Sequence, residues 1–100
     1  MGLQEQFDQA MMDVYNNALE HCNYKATYFF QMLHERGGLA TAKYLITTDT
    51  PSTGFTKLWE CGRLDLTVEA VALKPEYASL FTEEELELAR QRLKDYEHDI

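Results

Sequence analysis

One stretch of this chain concentrates residue types that can do chemistry. "GFTKLWECGRLDLTVEAVALKPEY", residues 54–77, places Trp59, Glu60, Arg63, Asp65 and Glu69 within an otherwise apolar run. An arginine fork beside an indole is suited to holding an anionic or aromatic ligand by paired hydrogen bonds and stacking. Polar groups converging in an apolar pocket are what a binding site looks like, so Trp59, Arg63, Asp65 and Glu69 form the candidate ligand set. The same residues also have a structural reading. Asp65 is placed to cap a helix, Arg63 to bridge a carboxylate and helix-end carbonyls at a turn, and Trp59 to fill the core. Glu69 lies among Leu66, Ala72 and Leu73, and a buried carboxylate requires a partner; Arg63, Arg36 and Lys43 are the candidates.

Other constellations are absent or weak. His21, His34 and His98 have no ligand spacing with one another or with Cys22 and Cys61, so no metal is expected. Adjacent His21 and Cys22 cannot both face one ion from a regular helix. No histidine lies near Cys61 in sequence to activate it as a nucleophile, and no glycine-rich phosphate loop follows a strand. No catalytic residue is assigned, no cofactor is expected, and the chain is read as non-enzymatic.

The elements that must position these residues are helices. Apolar spacing is helical almost throughout, and the expectation is an all-α fold, a compact bundle of about five to six short helices in one domain spanning 1–100. The spacing predicts helices over about 2–21, 25–36, 39–47, 54–61 and 65–73, and a last one from Thr82. Gly37-Gly38 ends the second, and "TTDTPST" is a loop. Asp65 is the expected cap of the fifth helix, and "TEEE" a capping box of Thr82 with Glu85, flanked by a Phe81–Leu86 staple. Leu86, Ala89, Leu93 and Tyr96 form the stripe of the last helix, with Leu88 off it and exposed. The charges from Glu83 on read as a solvated face, with pairs Glu87–Arg90, Arg92–Asp95 and Lys94–Glu97 and like-charge pairs Arg90–Lys94 and Asp95–Asp99.

In the first helix Leu3, Phe7, Ala10, Met11, Val14, Ala18 and Cys22 make one face, which Met12, Tyr15 and Leu19 widen sideways. That arc exceeds the stripe one core requires. Either neighbours flank the helix on two sides, or Met11, Met12, Tyr15 and Leu19 contact a partner, most simply a second copy of the chain.

Net charge is −8, with −4 in residues 1–22, none in the middle and −4 in residues 82–100. That distribution argues against direct binding of nucleic acid or anionic membranes, both of which need clustered lysine and arginine. It permits a basic protein partner, or an acidic decoy for a nucleic-acid enzyme. Two cysteines are too few for a disulfide framework, and each sits in an apolar helical pattern, so reduced, packed thiols in a cytoplasmic protein are expected.

The blocks "GGLATAKYLI", "GFTKLWECGRLDLTVEAVAL" and "LFTEEELELARQRL" resemble a small family of uncharacterised bacterial and phage-associated proteins. Its pattern runs GG-x-x-x-A-K-x-L, then G-F-x-x-L-W-E-x-G-R-L-D-L-T-V-E-A, then L-F-T-x-E-E-L, and covers about three fifths of the chain. The resemblance implies a prokaryotic or phage source and a compact helical domain, and it carries no activity. Three functional readings follow: a self-associating interaction module, an acidic inhibitor that mimics nucleic acid, and a small anionic-ligand binder using Trp59 and Arg63.

Overall fold

A computed structural model describes residues 2–97. It contains six α-helices: α1 (Leu3–Cys22), α2 (Thr27–Arg36), α3 (Gly38–Thr47), α4 (Thr53–Glu60), α5 (Val68–Ala72) and α6 (Glu83–Glu97). Two 3-10 turns, Leu64–Leu66 and Ala78–Leu80, connect the later helices, and there is no strand among the described residues. The fold is all-α, with helix bounds within about two residues of those the apolar spacing implies except around α5.

Helix α1 is the axis. It packs against α2, α3, α4 and α5. Phe7, Met11, Val14 and Ala18 are its buried positions, at the i, i+4, i+7 and i+11 spacing of one helical face. The breadth of its apolar arc is therefore met largely within the chain, because neighbours lie on several sides. Asn23 ends α1 in the left-handed conformation, φ 52°, which asparagine tolerates better than most residues.

The turn between α2 and α3 depends on two glycines for different reasons. Gly37 has φ 83°, a conformation costly for any residue with a Cβ. Gly38 lies where α3 approaches α1: a Cβ there would meet Asp8 Oδ1 at 2.6 Å, Asp8 Cα at 3.0 Å and Met11 Cγ at 3.2 Å. In return the Gly38 N–H donates to Asp8 Oδ1 at 2.8 Å, so a side chain of α1 satisfies a free amide at the start of α3. Gly38→Ala is expected to cost about 1–3 kcal/mol by overpacking this crossing. Urea denaturation measures it, and a loss under about 0.5 kcal/mol would mean that Asp8 moves aside freely.

The last helix starts as its capping box requires. Thr82 N–H donates to Glu85 Oε1 at 2.8 Å, and Glu85 N–H to Thr82 Oγ1 at 3.1 Å. The same Glu85 oxygen accepts from Lys43 Nζ at 2.8 Å, fastening α6 to α3. Burial pushes the Glu85 carboxyl up, but the bonds from Lys43 and Thr82 together outweigh it and hold it below its usual range. Phe81 and Leu86 are both in the core, and Leu88 is exposed.

The α5 region departs from expectation. Asp65 does not cap a helix. It lies in the 3-10 turn, and α5 begins only after Thr67, whose Oγ1 accepts from Ala70 N–H at 3.2 Å. "DLT" offers two capping residues, and the second wins because Thr67 is buried and its hydroxyl also donates to Leu64 O. Cys22 and Cys61 also differ: they form a disulfide, with Cα atoms 6.0 Å apart, joining the end of α1 to the residue after α4. Cys61 is exposed, so it is not a packed thiol.

Candidate functional site

The four central residues do not converge on one site. Arg63 and Asp65 pair with each other through two bonds, Nε to Oδ1 at 3.1 Å and Nη2 to Oδ2 at 3.2 Å. The hydrogen bond from Arg63 holds the Asp65 carboxyl below its usual range, with its guanidinium charge adding to the effect. The pairing engages two of the five guanidinium N–H groups and offsets the charge that would attract an anion. Trp59 packs edge-on against Tyr96, ring centroids 5.2 Å apart, and lines a shallow hollow with Glu60, Gly62, Leu64, Asp65 and Glu97. That surface is acidic, which also disfavours an anionic ligand.

Glu69 faces elsewhere. It is 2% exposed, and its partner is none of the three expected. Arg92 of α6 donates from Nη1 to Glu69 Oε2 at 3.0 Å. Nη1 also reaches Leu45 O at 2.9 Å, and Nη2 reaches Thr48 O. Leu45 and Thr48 end α3, so a single guanidinium neutralises the buried carboxylate and caps a helix. Arg92 does not pair with Asp95 on the surface; Gln91 does. Burial pushes the Glu69 carboxyl up, and its own backbone N–H and Arg92 pull it part of the way back.

Beside Glu69 lies a cavity of about 290 Å³. Its walls come from α1 (Val14, Ala18), α2 (Phe29, Met32), the end of α3 (Leu45) and α4 (Phe55, Leu58), and α5 closes it with Val68 and Glu69. At its rim are Tyr28, 81% exposed, and the Ser52–Gly54 segment that opens α4. Ser52 Oγ accepts from Phe55 N–H at 3.1 Å, fixing that rim as an N-cap. The cavity is a mostly apolar space with one buried carboxylate in its wall. Of the expected ligand set, only Glu69 lines it.

On α1, Met11 is 0% exposed and is a core residue, which removes it from any partner-facing set. Met12 and Tyr15 are half-buried, Tyr15 against Phe30 with ring centroids 5.0 Å apart, and Leu19 is 42% exposed. Of the four carboxylates of α1, Glu5 accepts from Gly2 N–H and Asp13 from Gln9 nearby in sequence, and Asp8 accepts from Gly38 N–H at the start of α3. Three of these four carboxylates are thus bonded within the chain, which weakens the reading of α1 as a row of free, phosphate-like charges. Among the described residues no group of histidine, cysteine and acidic side chains is arranged to hold a metal, and His98 lies outside those residues. No described helix is long and apolar enough to cross a membrane.

No family model, curated protein or solved structure matches this chain.

Proposed function

We propose that this is a non-enzymatic binding module whose site is the cavity enclosed by α1, α2, α3, α4 and α5, and that it takes one small, mainly apolar molecule. The observation that carries this reading is Glu69, a buried carboxylate set in the wall of an apolar space. A core built only for stability would be expected to fill that space and omit the charge, since apolar residues in place of a buried ion pair are often neutral or stabilising. Cavities lined by apolar side chains with a few placed polar groups are the usual form of small-molecule sites. The anionic ligand expected at Trp59 and Arg63 has less support, because Asp65 already neutralises Arg63 and the surrounding hollow is acidic.

Thermal shift and NMR titration with small aromatic compounds test the reading. A saturable rise in melting temperature is expected, with shift changes centred on Val14, Phe29 and Val68. Shifts scattered over the surface, or none at millimolar probe, would count against it.

A second reading is self-association through α1, supported by the strip of Met12, Tyr15 and Leu19 beside Phe30. Its area is modest, since Leu19 is the one member exposed by more than a third. Sedimentation equilibrium of wild type and Leu19→Asp decides it: a dimer that the substitution dissolves supports it, and a monomer at high concentration removes it. Bacterial or phage origin is proposed on the central-block resemblance alone; the cytoplasmic setting is expected from reduced thiols, and the Cys22–Cys61 disulfide removes that support.

A further inference from the structure

The chemistry around Glu69 narrows the class of ligand, on the premise that the cavity is a binding site. Volume comes first. An apolar cavity of about 150 Å³ accommodates benzene. At about 290 Å³ this one has room for a ring with a short chain or for two fused rings.

Charge comes next. Arg92 already supplies the countercharge of Glu69, and it is tied to Leu45 O and Thr48 O, so it does not turn toward the cavity. The pair is neutral overall. An ammonium group entering beside it would bring a second cation with no second anion, and a carboxylate would meet Glu69 across apolar walls; either would be buried uncompensated.

Hydrogen-bonding capacity completes the argument. The two carboxylate oxygens offer about four acceptor sites. Arg92 takes one of them, on Oε2. The other deep hydroxyl, Thr67 Oγ1, is committed as donor to Leu64 O and as acceptor from Ala70 N–H. Among the buried side chains of the wall, Glu69 is therefore the charged acceptor and the one with most capacity left, and it calls for a donor. We propose that the cavity binds a neutral aromatic molecule carrying one hydrogen-bond donor, such as a phenol or an indole-type N–H, which donates to Glu69 while its body fills the space between Val14, Phe29 and Leu58.

Four probes of similar size test this by calorimetry on the wild-type protein at neutral pH: 4-propylphenol, propylbenzene, 2-phenylethylammonium and 4-phenylbutyrate. A hydrogen bond to a charged acceptor predicts that the phenol binds roughly ten- to a hundredfold more tightly than propylbenzene. Both charged probes are expected to bind at least about tenfold more weakly than propylbenzene, given the desolvation they would suffer. If propylbenzene and the phenol bind within twofold of each other, the donor requirement is overturned while the cavity remains a binding site. If the ammonium or the carboxylate binds most tightly, the ligand class is overturned in the same way. If no probe binds, both readings fall. Ala18→Leu, which fills the cavity from α1, is expected to abolish phenol binding. Unchanged affinity in that variant would place binding elsewhere and overturn both. Should that variant fold poorly, nuclear Overhauser contacts from the bound phenol to Val14 and Phe29 in the wild type locate the site, and contacts elsewhere overturn the proposal.

Discussion

Arg92→Met is expected to destabilise the protein by about 3–5 kcal/mol, the range for removing one member of a buried charge pair. The cost arises from what is left behind. Glu69 keeps its 2% exposure and loses its countercharge, and the carbonyls of Leu45 and Thr48 lose their donor. Removing both charges together, as Glu69→Leu with Arg92→Met, is expected to cost at least about 2 kcal/mol less than the single change, because no unpaired charge stays buried.

The pH dependence carries a definite sign. Burial raises the folded-state pKa of Glu69 above its unfolded value, and loss of Arg92 raises it further. Between the ordinary glutamate value near about 4.3 and that raised value, the native state binds more protons than the unfolded state, so stability falls as pH rises through this window and the full penalty applies above it. The variant is therefore expected to regain stability when the pH is lowered from about 7.5 to about 5, more than the wild type does over the same interval. Asp65 and Glu85, held below their usual range, contribute with the opposite sign, and their contribution is lost only as the pH falls through and below the ordinary carboxylate range. Urea denaturation at the two pH values measures both effects. A loss below about 1 kcal/mol, or a variant that weakens in mild acid relative to wild type, would contradict the assignment of Arg92 as the partner of Glu69.

That partner illustrates what the sequence makes legible and what it does not. The apolar pattern around Glu69 is enough to require a counterion. It does not say which, because the nearest arginine along the chain, Arg63, is satisfied within its own turn by Asp65. The true partner lies 23 residues downstream, within a charge run that reads as solvated. A signal was present: Arg92 falls three residues after Ala89 and four before Tyr96, on the apolar stripe of α6 and not on its polar face. A long charged residue on such a stripe is a candidate for an inward-facing ion.

Helix ends with local side-chain chemistry were legible for the same reason in reverse. Thr82 and Glu85 are three residues apart and need nothing distant to form their box. The cap that Asp8 provides for Gly38, 30 residues away, depends on how α1 and α3 cross and has no local mark. The breadth of the α1 arc has a similar lesson: periodicity measures how much apolar surface a helix carries and not which neighbour covers it. The cavity is less legible still, because it is the space left where segments of five helices fail to meet, and no single segment encodes it.

The disulfide provides the second large effect. Its closed loop spans a sequence separation of 39, for which the loss of unfolded-state entropy corresponds to about 4 kcal/mol. For a domain of this size that is a fall in melting temperature of roughly 15–30 °C on reduction. Cys61 is exposed, so a dithiol in solution can reach the bond; exchange consumes the dithiol, which is oxidised to its own disulfide, and leaves Cys22 and Cys61 as two thiols. The position of the bond links it to the cavity. Ala18, one turn before Cys22, and Leu58, one turn before Cys61, both line that space. Helix α4 supplies one wall and most of the rim, and the disulfide ties its end to α1. Reduction is thus expected to lower the melting temperature and to weaken probe binding together, as α4 gains freedom relative to α1. Thermal denaturation with and without dithiol, with alkylation to count free thiols, measures the first part, and calorimetry on the reduced protein the second. Melting within about 5 °C of the oxidised protein, with both thiols alkylated, would mean that the packing of Phe55 and Leu58 holds α4 in place without the bond. The Cys22→Ser/Cys61→Ser double variant should match the reduced protein in both measurements, since it lacks the same cross-link and leaves neither thiol to re-form it.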